Sequence, residues 1–219
     1  MIKLSPRLEA IANLVPKKAQ IIDIGCDHGL LDVYLCKHNP ENHIIASDLR
    51  KTALSQATAN FQKYSVTDKI EARLGSGLEV VTPSEIDTII MSGLGTHTIV
   101  GILSTNPEKL KNVQTIIIQS NNYLPFLRKK ITHLGYYIER ETLVEDSKII
   151  YTIIKFSKGK RHYTSKELFF GPCLLKENSP LFQKKKALDQ EVLTTIYNSI
   201  PSNHFKEKLR ISFQLRFFK

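Results

Sequence analysis

Short runs of β-branched and apolar residues recur through the first half of the chain, at residues 21–25, 43–48, 70–74, 86–92 and 113–119. Each is short and apolar on both faces, the pattern of strands in a parallel sheet covered on both sides. Between them, residues 30–37, 51–64, 96–105 and 123–134 carry helical spacing. Strand and helix alternating in this way predict a doubly wound α/β fold. A short helix precedes them over residues 4–15, with Ser5 as its cap and Pro6 at its first position. Residues 136–157, "YYIERETLVEDSKIIYTIIKFS", break the rhythm. They read as two longer strands around Glu145-Asp146-Ser147, an antiparallel pair completing the sheet.

Past Gly159 the texture changes. Residues 159–180 are polar with Gly and Pro, and residues 181–199 and 203–218 then read as two helices broken at Pro201. Leu181, Leu188, Val192 and Ile196 mark the apolar spacing of the first. The expected organisation is a Rossmann-like domain over residues 1–157 and a helical hairpin over 158–219.

Charge follows the same division. Of a net +10, residues 157–219 hold 13 Lys and Arg against 5 acids, so the rest of the chain is near neutral. A basic tail on such a body points to a polyanionic partner, with a merely solvated helix face as the alternative. Lys184-Lys185-Lys186 is the densest cluster, and Arg210 lies on the second helix. The three cysteines have no metal-ligand spacing and read as free thiols of a reducing cytoplasm; no metal site is expected. No apolar run reaches the roughly 20 residues of a membrane span, and the first residues lack a signal-peptide core.

Open α/β sheets bind ligands beyond the C-terminal ends of their strands. Four such ends carry polar or Gly residues: Asp23-x-Gly25-x-Asp27-His28, Asp48 with Leu49, Gly75-Ser76-Gly77, and Ser92-Gly93. Asp48 closes the second strand 23 residues after Gly25, where an acid accepts hydrogen bonds from ribose hydroxyls. A dinucleotide needs G-x-G-x-x-G for its pyrophosphate, and this turn carries acids that repel one. Acids suit a sulfonium and an ammonium, which indicates S-adenosylmethionine. NAD(P) and a domain that binds no cofactor are the alternatives.

"LSPRLEAIANLVP", "DIGCDHGLLD", "GSGLEV", "SGLGTHTI", "IQSNN" and "FGPCLL" together resemble the bacterial tRNA (adenine(22)-N(1))-methyltransferase family. The resemblance covers most of the chain and weakens over its last forty or so residues. It implies a class I methyltransferase domain followed by a coiled-coil-like helical domain. It also implies S-adenosylmethionine as donor, S-adenosylhomocysteine as product, and N1 of an adenine in the D-arm of tRNA as acceptor. Two positions depart from the family pattern. Ser76 stands where an acid is common, and Thr96 follows Gly93-Leu94-Gly95 where a Gly is common.

These readings assign roles to residues. Arg7, Asp23, Gly25, His28, Asp48, Leu49, Gly75, Ser76, Gly77, Ser92 and Gly93 are the candidate cofactor site. Asp27 is the candidate catalytic carboxylate, placed in a turn facing the methyl end of the cofactor, where it could also take the N6 proton as a general base. It would orient the adenine through N6 and favour the cationic transition state; capping the next helix is the alternative. Gln119 and Asn121 are candidates for reading the base edge. Lys184, Lys185, Lys186 and Arg210 are candidates for phosphate contacts. A monomer is expected. A methyltransferase of another RNA, or a non-catalytic RNA-binding module, stand as the alternative functions.

Overall fold

The apolar runs pair as their alternation predicts. In a computed structural model describing residues 2–201 and 203–219, β1 (Gln20–Ile24), β2 (His43–Asp48), β3 (Ile70–Leu74), β4 (Thr88–Ser92) and β5 (Thr115–Gln119) lie parallel. β6 (Tyr136–Asp146) and β7 (Ile149–Lys158) add the antiparallel end, with β7 beside β5. Among the described residues the sheet order is β3-β2-β1-β4-β5-β7-β6. The chain winds one way from β1 to β3 and the other way from β4 onward. The gap beyond the ends of β1 and β4 is therefore the switch point of the sheet, where ligands bind.

The central strands are buried on both faces. Ile22 on β1, Ile89–Met91 on β4 and Ile116–Ile118 on β5 are fully enclosed. The β6–β7 turn falls at Ser147 and Lys148, both with left-handed backbone, one residue later than the sequence suggests. Two such residues form the turn whose twist suits a tight hairpin.

Helix α1 (Pro6–Ala12) begins where Ser5 accepts a hydrogen bond from the Leu8 N–H at 3.4 Å. It packs on β6 and β7, close to the site side of the sheet. Helices α2 (Leu30–His38), α3 (Lys51–Lys63), α4 (Thr96–Thr105) and α5 (Leu124–His133) follow β1, β2, β4 and β5, and a 3₁₀ turn (Gly77–Val80) follows β3. Arg128 on α5 donates to Glu141 on β6 at 2.7 Å, an ion pair buried on both sides.

The chain divides into two units, Met1–His162 and Tyr163–Lys219. The second begins with two helices that the sequence reading left as irregular, α6 (Ser165–Phe170) and α7 (Pro172–Glu177). α6 is opened by a capping box: the Thr164 hydroxyl accepts from the Glu167 N–H, and the Glu167 carboxylate accepts from the Thr164 N–H. The expected hairpin is present as α8 (Pro180–Ser199) and α9 (Phe205–Leu215). Its seam differs from the spacing read in the sequence. Phe182 on α8 and Ile200, which caps its C-terminal end, are buried while Leu188, Val192 and Ile196 face outward. Among the described residues no helix is long and apolar enough to cross a membrane.

Candidate active site

The site begins with backbone. After β1, Gly25 takes φ +79, and the N–H groups of Gly25 and Cys26 both donate to the Ser47 carbonyl of β2. This bends the chain over the sheet edge, a conformation that glycine adopts without strain. Asp27 follows with φ 51 and Gly29 with φ 65. At Gly29 a side chain is also excluded by space: a Cβ would lie 2.5 Å from the Phe61 ring on α3. The turn is thus clamped between β2 and α3 and presents its polar residues to the crevice.

All the residues proposed for cofactor binding line one cavity of about 660 Å³, with Asp27 among them. Arg7 reaches it from α1; Asp23, Gly25 and His28 come from the first turn; Asp48 and Leu49 from the second; Gly75, Ser76 and Gly77 from the third; Ser92 and Gly93 from the fourth. Sequence reasoning missed Leu94, which lines it from the turn before α4, Thr98 and Ile102 on α4, and Arg50 beside Asp48. Leu94 was visible inside the Gly93–Gly95 turn; nothing local marks Ile102 as a lining residue.

Asp48 is 5% exposed at the end of β2. Its Oδ1 accepts from the Arg50 N–H at 2.8 Å and its Oδ2 from the Asp27 N–H at 3.4 Å. Asp23 is also buried, and its Oδ1 has no hydrogen-bond partner. Burial, then the charge of Asp48, pushes the Asp23 carboxyl up to about 7, while Arg7 pulls it back. Cys26 lines the same cavity, but burial followed by the charges of Asp32, Asp23 and Asp48 holds its thiol far above the usual range.

Asp27 is held by its neighbours in the turn. Its carboxylate lies 3.5 Å from Arg50 and 3.5 Å from His28, and its N–H bonds Asp48. It is held beside the residues that end β2. His28 stands beside Asp27 at the mouth of the turn.

A second cavity, of about 380 Å³, adjoins the first and shares Arg7, Gly93 and Leu94 with it. Gly95, Gln119, Ser120, Asn121, Asn122 and Tyr151 complete its lining. Arg7 Nη1 donates to Ser92 Oγ at 2.6 Å and to Gln119 Oε1 at 3.0 Å. Gln119 Oε1 also accepts from the Gly93 N–H, and its amide nitrogen donates to Asn121 Oδ1. Gln119 is consumed as a bracket between β4, β5 and α1, whereas Asn121 is exposed at the mouth. Thr96, the departure from the family Gly, is buried below this loop: its hydroxyl donates to the Asn122 carbonyl at 2.5 Å.

The basic residues of the second unit are unequal. Lys185 is paired with Asp189 at 2.9 Å, Lys186 lies 5.5 Å from the Phe170 ring centroid, and Lys184 and Arg210 are exposed. Among the described residues no group of three or more His, Cys, Asp or Glu is placed to hold a metal ion.

Comparisons with known proteins place the chain in a family. A family model described as tRNA (adenine(22)-N(1))-methyltransferase matches residues 21–216. The tRNA (adenine(22)-N(1))-methyltransferase of Bacillus subtilis is 28% identical over 205 residues, covering 91% of this chain and 86% of that protein. The crystal structure of the B. subtilis m1A22 tRNA methyltransferase superposes with a TM-score of 0.91 at 25% identity, over 100% of this chain and 98% of that one. The structure of M. capricolum TrmK in complex with S-adenosyl-homocysteine superposes with a TM-score of 0.84 at 29% identity, over 98% of this chain and 96% of that one.

Proposed function

The chain belongs to the tRNA (adenine(22)-N(1))-methyltransferase family, and from that footing we propose how its own residues serve the reaction. It transfers a methyl group from S-adenosylmethionine to N1 of adenine 22 in the D-arm of tRNA. The observation that carries the residue assignment is the joining of the two cavities at Arg7, Gly93 and Leu94. One cavity is built for a cationic nucleoside and the other is lined by amides. A reacting nitrogen seated in the second lies over the wall it shares with the first.

The residues fit the cofactor. Asp23 offers an unpartnered carboxylate oxygen to an ammonium, and Asp48 offers a diol its acceptors. Leu49, 71% exposed, offers an apolar face to an adenine ring, and Ser76 a hydroxyl to its edge. Arg7 spends Nη1 on Ser92 and Gln119, leaving Nη2 and Nε for a carboxylate. When bound, S-adenosylmethionine supplies an electrophilic methyl group and leaves as S-adenosylhomocysteine.

N1 of adenine is a nucleophile in its neutral form, so bond formation needs no prior deprotonation. What the protein supplies is position and charge. Asn121 has the donor and acceptor that pair with N7 and N6 of adenine, leaving N1 open. Methylation makes the ring cationic, and a nearby carboxylate stabilises that change. Asp27 takes this role on exposure: of the acids lining the crevice, Asp23 and Asp48 are buried and Asp27 is not. The target must leave its stack to enter, at a cost of a few kcal/mol. Phosphate contacts from Lys184, Lys185, Lys186 and Arg210 offset that cost. The enzyme is taken to act as a monomer in the cytoplasm, without a metal.

The test is transfer of labelled methyl to two transcripts, one with adenine and one with guanine at position 22, with Asp27→Ala run beside the wild type. Loss of labelling with the guanine transcript and a strong reduction in Asp27→Ala support the reading. Equal labelling of both transcripts sinks the site assignment.

A further inference from the structure

Three aromatic rings cluster next to the Asn121–Asn122 loop that lines the second cavity, and none of them lines the cofactor site. Tyr123 is 65% exposed and holds a left-handed backbone, φ 49 and ψ 35. Its ring lies 5.4 Å from that of His97, and His97 lies 5.2 Å from Phe126. His97 is itself exposed, and Lys130 on the same helix as Phe126 stands 5.5 Å from the Phe126 ring centroid.

A bulky residue in the left-handed region is strained, and such strain persists only where the surroundings enforce it. Here the enforcement is visible. The preceding residues are pinned by Thr96: its N–H donates to Asn122 Oδ1 at 3.3 Å, its hydroxyl donates to the Asn122 carbonyl, and Ser120 Oγ lies 3.1 Å from the same hydroxyl. The Tyr123 carbonyl then accepts the first bond of α5, from the Leu127 N–H. The chain is therefore fixed on both sides of Tyr123, and its ring is held out in solvent next to Asn121 and Asn122, which line the cavity. An exposed aromatic face, an imidazole against it and an ammonium nearby match what an unstacked nucleotide needs: a π-surface and a positive field for its phosphate.

We propose that Tyr123, backed by His97 and pinned by the Thr96–Asn122 lock, is the stacking platform for the RNA base flanking the target adenine. This rests on the tRNA methyltransferase reading above and adds a positioning residue to it. A base stacked there is held at the rim while its neighbour enters the amide-lined cavity. The Thr in place of the family Gly then has a purpose in this chain, since a Gly at position 96 has no hydroxyl with which to hold the loop.

The test compares Tyr123→Phe with Tyr123→Asn. Phe keeps the ring and loses the hydroxyl. Asn removes the ring but tolerates the left-handed backbone, so a fold defect does not mask the result; a thermal shift with S-adenosylhomocysteine verifies the fold of each variant. The dissociation constant for tRNA is read by fluorescence anisotropy and the kinetic constants by methyl transfer. Tyr123→Asn is expected to weaken tRNA binding about 5- to 100-fold, the range for loss of one aromatic–base stack. Its KM for tRNA rises with it, while its KM for S-adenosylmethionine stays within about twofold. Tyr123→Phe is expected to bind tRNA as the wild type does. An unchanged tRNA dissociation constant in Tyr123→Asn overturns the platform, and so does equal weakening in both variants. Absence of methyl transfer by the wild type overturns the enzyme reading instead, and the two failures are told apart because the binding measurement does not require turnover.

Discussion

Arg7, on the first helix, donates through Nη1 to the side-chain carbonyl of Gln119 at the end of β5, 3.0 Å away and 112 residues along the chain. The same nitrogen donates to Ser92 at the end of β4. A helix that precedes the first strand thereby becomes a wall of both cavities. Replacing Arg7 with Ala removes charge-assisted bonds and the cation that opposes protonation of Asp23. Such bonds are worth roughly 1.5–3 kcal/mol each, so kcat/KM is expected to fall about 10- to 100-fold. Arg7→Lys restores little, because an ammonium cannot span both acceptors as the planar fork does. Steady-state kinetics showing full activity in Arg7→Lys would remove the bridging role.

Asp23 sets a pH dependence for cofactor binding. Its carboxyl is pushed up to about 7 in the folded protein, from 3.8 when unperturbed. Between those values the folded chain holds a proton that the unfolded chain has lost. The free protein therefore loses stability as pH rises through that window, because the unfolded state binds fewer protons there. An ammonium in the cavity favours ionised Asp23, so cofactor affinity moves the opposite way. The expected result is a dissociation constant for S-adenosylhomocysteine about tenfold lower at pH 8 than at pH 6, measured by calorimetry. Equal affinity at both values would take Asp23 out of contact with the ammonium.

Asp32, in the first turn of α2, is fully buried, and neither carboxylate oxygen has a partner beyond its own backbone N–H. Burial, then the charge of Asp23, raises its carboxyl well above the ordinary range. An acid raised by folding costs stability above its unfolded value, and the cost grows with pH until the folded group ionises. Asp32→Leu, close in shape and apolar, is expected to stabilise the fold by about 1–3 kcal/mol, more at pH 8 than at pH 5. A denaturant series at the two values checks both the sign and the trend. A lower midpoint at pH 8 would show that the carboxyl has a structural partner after all.

Much of this was legible in local chemistry, and the failures have physical causes. The five parallel strands announce themselves because residues such as Ile116–Ile118 are buried on both faces and must be apolar throughout. The cavity floor was readable because a Gly turn and an acid at a strand end are backbone and ribose requirements, not packing accidents. Asp27 was read correctly as a crevice residue, yet its direction depends on Arg50 and Asp48, which a different strand delivers. Helix α6 was passed over although Thr164-x-x-Glu167 spells its capping box; the Gly171-Pro172 pair after it read as loop, when it in fact separates two short helices. On α8, Leu188, Val192 and Ile196 have helical spacing but face solvent. Periodicity identifies the helix and cannot say which face meets its neighbours.

The lysine cluster gives a prediction that separates charge from contact. A phosphate contact to RNA contributes about 0.7–0.9 to the slope of log affinity against log salt. Arg210 is exposed, so Arg210→Ala is expected to flatten the slope for tRNA binding by about one. Lys185 is different. Its ammonium lies 2.9 Å from both oxygens of Asp189, one turn along α8, and is largely neutralised before RNA arrives. Lys185→Ala is therefore expected to change the slope by less than Arg210→Ala, although the formal charge removed is the same. Binding measured from 50 to 300 mM salt, a range of about sixfold in screening ions, decides between them. If both variants flatten the slope alike, net charge alone governs the attraction and the Lys185–Asp189 pair opens on the RNA. If neither does, the phosphates are held elsewhere and the basic hairpin is a solvated face.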